Sequence, residues 1–177
     1  MTPPLQRPLW QGAIAFAARK HRDQNRKDRA TPYVSHAFRV AMTVRDLFGC
    51  ADASTITAAL LHDTIEDTTT DYDEIEEKFG AEVADMVAAL TKNMALREAA
   101  REAEYDARLA AADWRVRLIK LADVYDNLCD WSPQINITLD DMVDRCRRAL
   151  SLAENDADAH PESERARSVL LACVRKT

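Results

Sequence analysis

The chain has 177 residues, of which 47% are hydrophobic and 31% charged, with 3 glycines and a formal net charge of -6. This length suits one compact domain with its own core, and the hydrophobic content excludes an intrinsically disordered chain. So few glycines leave little turn chemistry for a many-stranded β fold, and the negative charge argues against non-specific binding to DNA or RNA. Composition therefore favours a single all-α domain over residues 1–177.

Helical spacing of apolar residues recurs along the chain, with capping residues at the predicted starts and glycines after some of the predicted ends. In chain order it predicts helices from Leu9 to Ala18, from after Pro32 to Gly49, from the N-cap Ser54 through His62, from Asp71 or Asp73 to Gly80, from Val83 to Leu90, over residues 95–112, from the N-cap Asp113 through Tyr125, from Leu139 to Glu154 and from Pro161 to Val174. The helix over residues 95–112 is rich in Ala, Arg and Glu, which predicts a solvated surface element without chemistry. The fold class expected is a helical bundle.

The N-terminal segment and the cysteines bear on the cellular compartment. The first twenty residues contain prolines and an amphipathic helix rather than a continuous apolar run before a cleavage site, so we predict no signal peptide. No run of about 18 apolar residues predicts a transmembrane helix. The four cysteines are scattered without a close pair, which predicts reduced thiols rather than a disulfide framework. These features indicate a cytoplasmic protein without a membrane partner, and they leave the oligomeric state open.

The strongest chemical signal is a group of four ionisable residues in an otherwise apolar helix, namely His62, Asp63, Glu66 and Asp67. Burying a charged carboxylate without compensation is unfavourable, so Asp63 indicates a nearby cation or a strong hydrogen-bond partner. On a continuous helix His62 and Glu66 share one stripe, and Asp63 and Asp67 share the adjacent one. By itself, the pattern also fits a helix C-terminus with solvated acids.

Two further residues favour the metal interpretation. His36 projects from the inward face of the preceding predicted helix, and Asp123 lies among apolar neighbours. Each also has a structural interpretation, a satisfied core histidine for His36 and a salt bridge to Lys120 or Arg115 for Asp123. In order, a His, a His-Asp pair and a distant Asp resemble the signature of HD-domain phosphohydrolases. Mixed nitrogen and oxygen ligands with positions left for water suit manganese or iron better than a closed structural zinc site, and we favour manganese.

The resemblance extends over roughly residues 10–130 and narrows to the RelA/SpoT homologue hydrolases, especially the small metazoan type. It rests on residues 16–22, 26–28, 31–36, 58–68, 79–80 and 120–123. It implies a stand-alone manganese-dependent enzyme that removes the 3′-pyrophosphate from (p)ppGpp. The manganese ligands that it implies are His36, His62, Asp63 and Asp123. The other roles that it implies are handling of the attacking water by Glu66 and Asp67, and contact with the nucleotide by Arg26, Lys27 and Asn127.

A basic segment fits such an anionic substrate. Residues 19–29 carry six cations and two acids, a net charge of +4 in an acidic protein. Arginine binds phosphate through two parallel hydrogen bonds and stacks its planar guanidinium on a base, although a solvated loop explains many such segments. Within this segment we favour Arg26 and Lys27 as the substrate contacts. Between the two acids, the sequence does not decide which one accepts a proton from water and which one serves the leaving 3′-oxygen.

The helix that follows Asp123 departs from the family pattern. That pattern usually has a basic residue, then a His or Tyr before the Asn, and then an Arg, where this chain has Val124, Asp126 and Cys129. These changes remove cations and add an acid at the expected nucleotide end of the pocket. Adenine alarmones such as (p)ppApp are therefore candidate substrates as well as the guanine alarmones. Two alternatives remain, an enzyme acting on a nucleoside monophosphate or the 2′-phosphate of NADPH, and a non-catalytic alarmone-binding protein. Retention of both water-handling acids speaks against the second.

Overall fold

The computed structural model describes residues 8–133 and 137–175, and within this range the regular elements are helices apart from one isolated antiparallel bridge between Asn25 and Pro32. The helices are α1 (Leu9–Lys20), α2 (Val34–Met42), α3 (Ala53–Leu61), α4 (Thr64–Asp67), α5 (Tyr72–Phe79), α6 (Ala81–Leu90), α7 (Glu98–Ala111), α8 (Trp114–Cys129), α9 (Leu139–Leu152) and α10 (Pro161–Val174). A π-helical turn, Thr43–Leu47, extends α2, and a 3-10 turn, Glu154–Asp156, follows α9. The predicted all-α fold class is confirmed. The prediction that there is no signal peptide concerns the first twenty residues, and residues 1–7 of these lie outside the described part of the chain.

Short acidic side chains begin several of these helices. Asp52, Asp71 and Asp113 each accept a hydrogen bond from a backbone N–H group in the first turn of α3, α5 and α8. Such a cap satisfies one of the free N–H groups that every helix start exposes. The prediction that Ser54 caps α3 is wrong, because Ser54 lies inside α3 and Asp52 is the residue that receives the backbone hydrogen bond.

Two glycines end helical segments with a left-handed backbone. Gly80, with φ of 89°, separates α5 from α6, and Gly49, with φ of 82°, follows the π-helical turn. A side chain is strained in this conformation, so glycine is the residue that allows the chain to turn there. At Gly49 a Cβ would also lie 2.7 Å from the guanidinium Nη2 of Arg165. The predicted position of Gly49 after the second helix therefore has a steric reason as well as a conformational one.

Helix α3 forms the centre of the bundle, where it packs against α1, α2, α6 and α8. Ala58 and Ala59 are fully buried and allow close approach of these neighbours, while Leu61 is one of the largest fully buried side chains. Truncating such a buried leucine to alanine typically costs about 2–5 kcal/mol. α8 also packs on α2, so α2, the end of α3 and α8 meet in the interior.

The helix that carries the His-Asp pair is interrupted, so residues 62–67 do not lie on the one continuous helix that the i,i+4 stripes assume. α3 ends at Leu61 and α4 begins at Thr64. The Nδ1 of His62 donates to the backbone oxygen of Ala59 over 2.8 Å, and the hydroxyl of Thr64 donates to the backbone oxygen of Leu61 over 2.7 Å. Side chains that take main-chain carbonyls compete with the helical hydrogen-bond ladder. The His-Asp pair therefore lies in the turn between two helices.

Two observations bear on the predictions about membrane helices and the cellular compartment. Among residues 8–133 and 137–175, no helix combines the length and the apolar character needed to cross a bilayer. Cys50, Cys129 and Cys146 have free thiols. α7, predicted as a solvated element, is exposed over much of its surface but buries Tyr105 and Leu109.

Candidate active site

Three of the predicted metal ligands bring their ligand atoms together in the interior. Ring nitrogens of His36 and His62 and a carboxylate oxygen of Asp123 all lie within 4.8 Å of one another. His36 comes from α2, His62 from the turn after α3, and Asp123 from α8. Both histidines are buried. This set of atoms suits one divalent cation held by imidazole and carboxylate ligands.

Asp63, the fourth predicted ligand, lies beside this cluster but is not one of its three members. Its Oδ2 is 3.5 Å from the Nε2 of His36 and 3.0 Å from the Nε2 of His62. The hydroxyl of Tyr33 donates to the same carboxylate oxygen over 2.6 Å. A second carboxylate is therefore within reach of both imidazoles, and Tyr33 restrains it.

Each imidazole uses Nδ1 for a hydrogen bond to the protein and turns Nε2 toward the carboxylates. Because the backbone oxygen of Ala59 can only accept, His62 carries a proton on Nδ1. The Nδ1 of His36 lies 2.7 Å from the Oδ2 of Asp126. The Nε2 of His62 is buried and has no hydrogen-bond partner of acceptable geometry in the described part of the chain. A buried ring nitrogen left unpaired beside carboxylates fits a metal ligand.

The carboxylates create a negative potential around both imidazoles. Burial alone lowers the pKa of His36, but hydrogen bonds to Asp123, Asp126 and Asp63 outweigh burial and raise the pKa to about 11. Burial raises the carboxyl pKa of Asp63, yet the charge of His62 and the interaction with His36 hold that pKa well below its usual range. A potential that stabilises positive charge on an imidazole also stabilises a divalent cation between the same atoms. The residues present therefore fit a metal site.

Asp123 also begins a chain of polar contacts that leads to the basic segment. Lys120 Nζ donates to its Oδ2 over 2.7 Å, and Asn127 Nδ2 donates to its Oδ1 over 2.6 Å. Arg26 Nη2 donates in turn to the Oδ1 of Asn127 over 2.9 Å. The salt bridge to Lys120, offered above as a structural interpretation of Asp123, is thus present. It uses Oδ2, whereas Oδ1 lies 3.3 Å from the Nε2 of His36.

The two predicted water-handling acids lie on α4, directly after the His-Asp pair. The Oε2 of Glu66 accepts a hydrogen bond from the backbone N–H of Lys92 over 2.8 Å. Burial raises the pKa of Glu66, and the charges of Asp63 and Asp67 add to this against the opposing effect of the Lys92 N–H. Burial, followed by the charge of Asp63, also raises the pKa of Asp67. A carboxylate with a raised pKa is better suited to accept a proton near neutral pH.

Two adjoining cavities contain the predicted nucleotide contacts. The first, of about 270 Å³, has Asp123 and Asn127 in its wall. The second, of about 470 Å³, is lined by Arg26, Lys27 and Asn127 among others. Asn127 and Met142 belong to both walls, so the two cavities adjoin at these side chains, between the basic segment and Asp123.

Several cations line these cavities, and three of them lack an acidic partner in the described residues. Lys92 pairs with Glu102 of α7 at 2.7 Å, so α7 lines the site instead of standing apart from it as predicted. Lys27, Arg29 and Arg145 make no ion pair with any residue in 8–133 or 137–175. Burial, followed by the charges of Arg145 and Arg26, lowers the pKa of Lys27. Cations held together without counter-charges favour an anionic ligand.

Asp126 is a residue of the site that the sequence reasoning misplaced. It was expected at the nucleotide end of the pocket, but it lines neither cavity, and its side chain is only 6% exposed. Its carboxylate lies between His36 Nδ1 and the guanidinium of Arg39, whose Nε and Nη2 donate to its two oxygens over 2.6 and 2.9 Å. The i,i+3 spacing from Asp123, which puts both acids on one side of α8, is the signal that could have located it.

The model of the HD-domain family matches residues 13–138 of this chain. The chain belongs to the HD-domain family. This HD-domain chain is 42% identical over 118 residues to the zebrafish (Danio rerio) guanosine-3′,5′-bis(diphosphate) 3′-pyrophosphohydrolase MESH1, with 66% of each chain covered. It is 42% identical over 119 residues to the human (Homo sapiens) MESH1, with 67% of this chain and 66% of that one covered.

A bacterial relative matches over the same extent of this HD-domain chain. The guanosine-3′,5′-bis(diphosphate) 3′-pyrophosphohydrolase of Aquifex aeolicus is 44% identical over 121 residues, which cover 67% of this chain and 17% of that enzyme. The chain thus spans just under two thirds of the length of the zebrafish and human relatives, 66% in each case, and a small part of the bacterial one.

Solved structures extend the similarity to nearly the whole chain. One, described as a metazoan orthologue of SpoT that hydrolyses ppGpp and plays a role in starvation responses, superposes with a TM-score of 0.79 at 27% identity. That superposition covers 94% of this chain and 96% of the other. A Listeria monocytogenes protein gives a TM-score of 0.61 at 26% identity over 81% of this chain. The family resemblance predicted from the motifs is confirmed.

Proposed function

We propose that this HD-domain protein is a metal-dependent 3′-pyrophosphohydrolase of guanosine or adenosine 3′,5′-polyphosphates, (p)ppGpp or (p)ppApp. The observation that carries the proposal is the convergence of His36, His62 and Asp123 within 4.8 Å, with Asp123 in the wall of a cavity lined by cations. The names of the zebrafish, human and Aquifex relatives support the substrate class. The products are the nucleoside 5′-diphosphate or 5′-triphosphate and pyrophosphate.

The proposed ligands of the metal are His36, His62, Asp63 and Asp123. Two imidazoles and two carboxylates form a mixed nitrogen and oxygen set, which supports manganese over a closed structural zinc site. When bound, the cation supplies Lewis-acid chemistry, lowering the pKa of water and polarising a phosphoryl oxygen. Comparing turnover with Mn²⁺, Fe²⁺, Mg²⁺ and Zn²⁺ tests this choice, and manganese is expected to give the highest rate.

Glu66 and Asp67 handle the protons in this proposal. The Lys92 N–H occupies Oε2 of Glu66, which leaves Oε1 to accept a proton from the attacking water. The water oxygen forms a bond to the phosphorus next to the 3′-oxygen, and the bond between that phosphorus and the 3′-oxygen breaks. Asp67 is the second proton carrier and serves the leaving 3′-oxygen. The raised pKa values of both carboxyls support these roles.

Arg26, Lys27 and Asn127 bind the nucleotide in this proposal. Support comes from their common cavity and from the hydrogen bond between Arg26 and Asn127, which ties the basic segment to Asp123. Lys27 and Arg145, which have no acidic partner in the described residues, are suited to a second phosphate group at the other end of the nucleotide. A substrate phosphorylated at both the 3′ and the 5′ position matches this distribution of cations.

We also propose that residues 1–177 form one domain. α9 and α10 lie beyond residue 138, where the family match ends, and both pack against α8. The free thiols of Cys50, Cys129 and Cys146 support residence in a reducing compartment such as the cytoplasm.

One product assay tests the proposed activity. Purified protein is incubated with Mn²⁺ and, separately, with ppGpp, ppApp, a nucleoside monophosphate and NADPH, while pyrophosphate and orthophosphate are measured. We expect one pyrophosphate per nucleoside 5′-diphosphate formed from ppGpp or ppApp, and none with the His62→Ala variant. Orthophosphate from the other two nucleotides would identify a related phosphohydrolase instead. Tight alarmone binding without metal-stimulated turnover would identify a binding protein.

A further inference from the structure

The buried carboxylate of Asp126 and the guanidinium of Arg39, whose side chain is 39% exposed, form a pair behind one of the proposed metal ligands. Arg39 donates from Nε to Oδ1 of Asp126 over 2.6 Å and from Nη2 to Oδ2 over 2.9 Å. The same Oδ2 lies 2.7 Å from the Nδ1 of His36. α2 carries His36 and Arg39 and α8 carries Asp126, so the three side chains link the two helices that bring His36 and Asp123 together.

These contacts determine which nitrogen of His36 carries a proton. A carboxylate paired with a guanidinium is ionised and can only accept hydrogen bonds, so His36 keeps a proton on Nδ1. In the neutral form that would ligate a metal, the lone pair therefore lies on Nε2, the atom that is 3.5 Å from Asp63 and 3.3 Å from Asp123. Asp126 thus accepts the Nδ1 proton of His36 in a hydrogen bond, as the backbone oxygen of Ala59 does for His62.

A purely structural ion pair would not need this geometry. The side chain of Asp126 could satisfy Arg39 without approaching the imidazole, yet its Oδ2 accepts from both groups. The carboxylate is 6% exposed and His36 is 1% exposed, so water does not compete for the contact. In metal sites, a carboxylate behind a ligating histidine fixes the tautomer and ring orientation and raises the basicity of the ligand.

We propose that Asp126 and Arg39 are positioning residues that orient His36 and raise the affinity of the site for a divalent cation. This inference rests on the proposed function only in requiring that the site binds a metal. Asp126 is one of the three residues of α8 that depart from the family pattern, so this arrangement belongs to this chain's own sequence. Arg39 acts through Asp126, since it holds the carboxylate ionised and in place.

The test measures Mn²⁺ binding by calorimetric titration of the purified full-length protein. Asp126→Leu removes the acceptor, Asp126→Asn keeps an oxygen for the Nδ1–H but disturbs the pair with Arg39, and Arg39→Lys keeps the charge but loses the two-point contact. Loss of such a carboxylate typically weakens metal binding or activity by about 10- to 100-fold. We expect the dissociation constant to rise by about this factor in Asp126→Leu, and by less in the other two variants.

A matched control comes from a second arginine–aspartate pair outside the site. Arg117 Nε and Nη2 donate to Asp156 over 2.6 and 2.7 Å, and neither residue lines the two cavities. Asp156→Asn should lower thermal stability about as much as Asp126→Asn while leaving the Mn²⁺ dissociation constant unchanged. If Asp156→Asn weakens manganese binding equally, the effect reflects general destabilisation and the inference is overturned.

The outcomes distinguish this inference from the proposed function. Wild-type affinity in all three variants of Asp126 and Arg39 overturns the positioning role but leaves the hydrolase proposal intact. Absence of Mn²⁺ binding by the wild-type protein overturns both. If Asp126→Leu does not fold, the Mn²⁺ dissociation constants of Asp126→Asn and Arg39→Lys decide whether the positioning role holds. Both should be higher than that of the wild-type protein. Partial recovery of turnover in Asp126→Asn at saturating Mn²⁺ is the further expected sign of a weakened but complete site.

Discussion

The exchange Glu66→Gln separates proton transfer from binding at the candidate site. Glutamine keeps the size of the side chain and an oxygen that can accept the Lys92 N–H, now 2.8 Å from Oε2, but it cannot take a proton from water. Loss of a positioned general base lowers kcat by roughly 10² to 10⁴, which corresponds to about 3–5 kcal/mol in the activation barrier. Metal and nucleotide should bind as in the wild-type protein.

Reduced stability is the competing explanation for a lower rate, and its size can be bounded. A hydrogen bond to a charged acceptor contributes about 1.5–3 kcal/mol and one to a neutral acceptor about 0.5–1.5 kcal/mol, so the Lys92 contact weakens by roughly 1 kcal/mol. For a chain of 177 residues this shifts the melting temperature by about 2–4 °C. Such a shift leaves the protein folded at the assay temperature and does not account for a large loss of turnover.

The pH dependence provides the second readout. Because burial raises the pKa of Glu66, the working carboxylate is lost at a higher pH than an exposed glutamate would be, and kcat falls as the pH drops through that raised pKa. The Gln variant should lack this acidic limb. The assay is pyrophosphate release between about pH 5 and pH 9, with manganese content measured in parallel. Wild-type turnover with intact metal would refute Glu66 as the base and favour Asp67, whereas loss of metal would place Glu66 among the ligands.

Three other changes test separate parts of the structure. His62→Ala and Asp123→Ala should each lose hydrolysis together with stoichiometric manganese because each removes a proposed ligand; full manganese occupancy in a folded variant, by elemental analysis, would contradict this. Arg26→Ala should raise KM more than it lowers kcat, and added salt should weaken wild-type substrate binding; an unchanged KM in steady-state kinetics would mean that the residue is only solvated. Asp52→Ala should lower the free energy of unfolding by about 1 kcal/mol because the carboxylate caps α3. Burial raises the pKa of Asp52, but hydrogen bonds from Thr55 outweigh burial and lower it. This stabilisation is therefore present above the ordinary pKa of 3.8 and is lost as the pH falls through the folded pKa. The same loss of unfolding free energy in the variant at neutral and at strongly acidic pH, measured by urea unfolding, would argue against the cap.

Helix positions follow from local chemistry, so much of the fold can be predicted from the sequence. Asp71 caps α5, Gly80 ends it, and the predicted bounds of α10 agree with Pro161–Val174. The break between α3 and α4 is different, because it arises where His62 and Thr64 bind main-chain carbonyls. Hydrophobic periodicity carries no information about that competition.

The site shows the same division between local and distant effects. Asp63 and Asp123 could be selected because acids among apolar residues are costly unless a cation or a hydrogen-bond donor compensates them. The contact between His36 and Asp126 joins residues 90 positions apart and depends on how α2 packs on α8. The i,i+3 spacing puts Asp126 on the same side of α8 as Asp123, but no local pattern shows that His36 lies opposite it, so the comparison of motifs places Asp126 at the nucleotide end of the pocket instead.

The convergence of residues 36, 62 and 123 also ties metal binding to the synthesis of the chain. A nascent chain that has not yet emerged beyond residue 123 lacks one member of the cluster, so the cation can bind only after α8 has docked on α2 and α3. A ligand that binds the folded state alone stabilises it by about 2.7 kcal/mol at 100 times its dissociation constant. The supply of the proposed divalent cation in the cell would then affect how long the protein survives proteolysis as well as its rate of turnover.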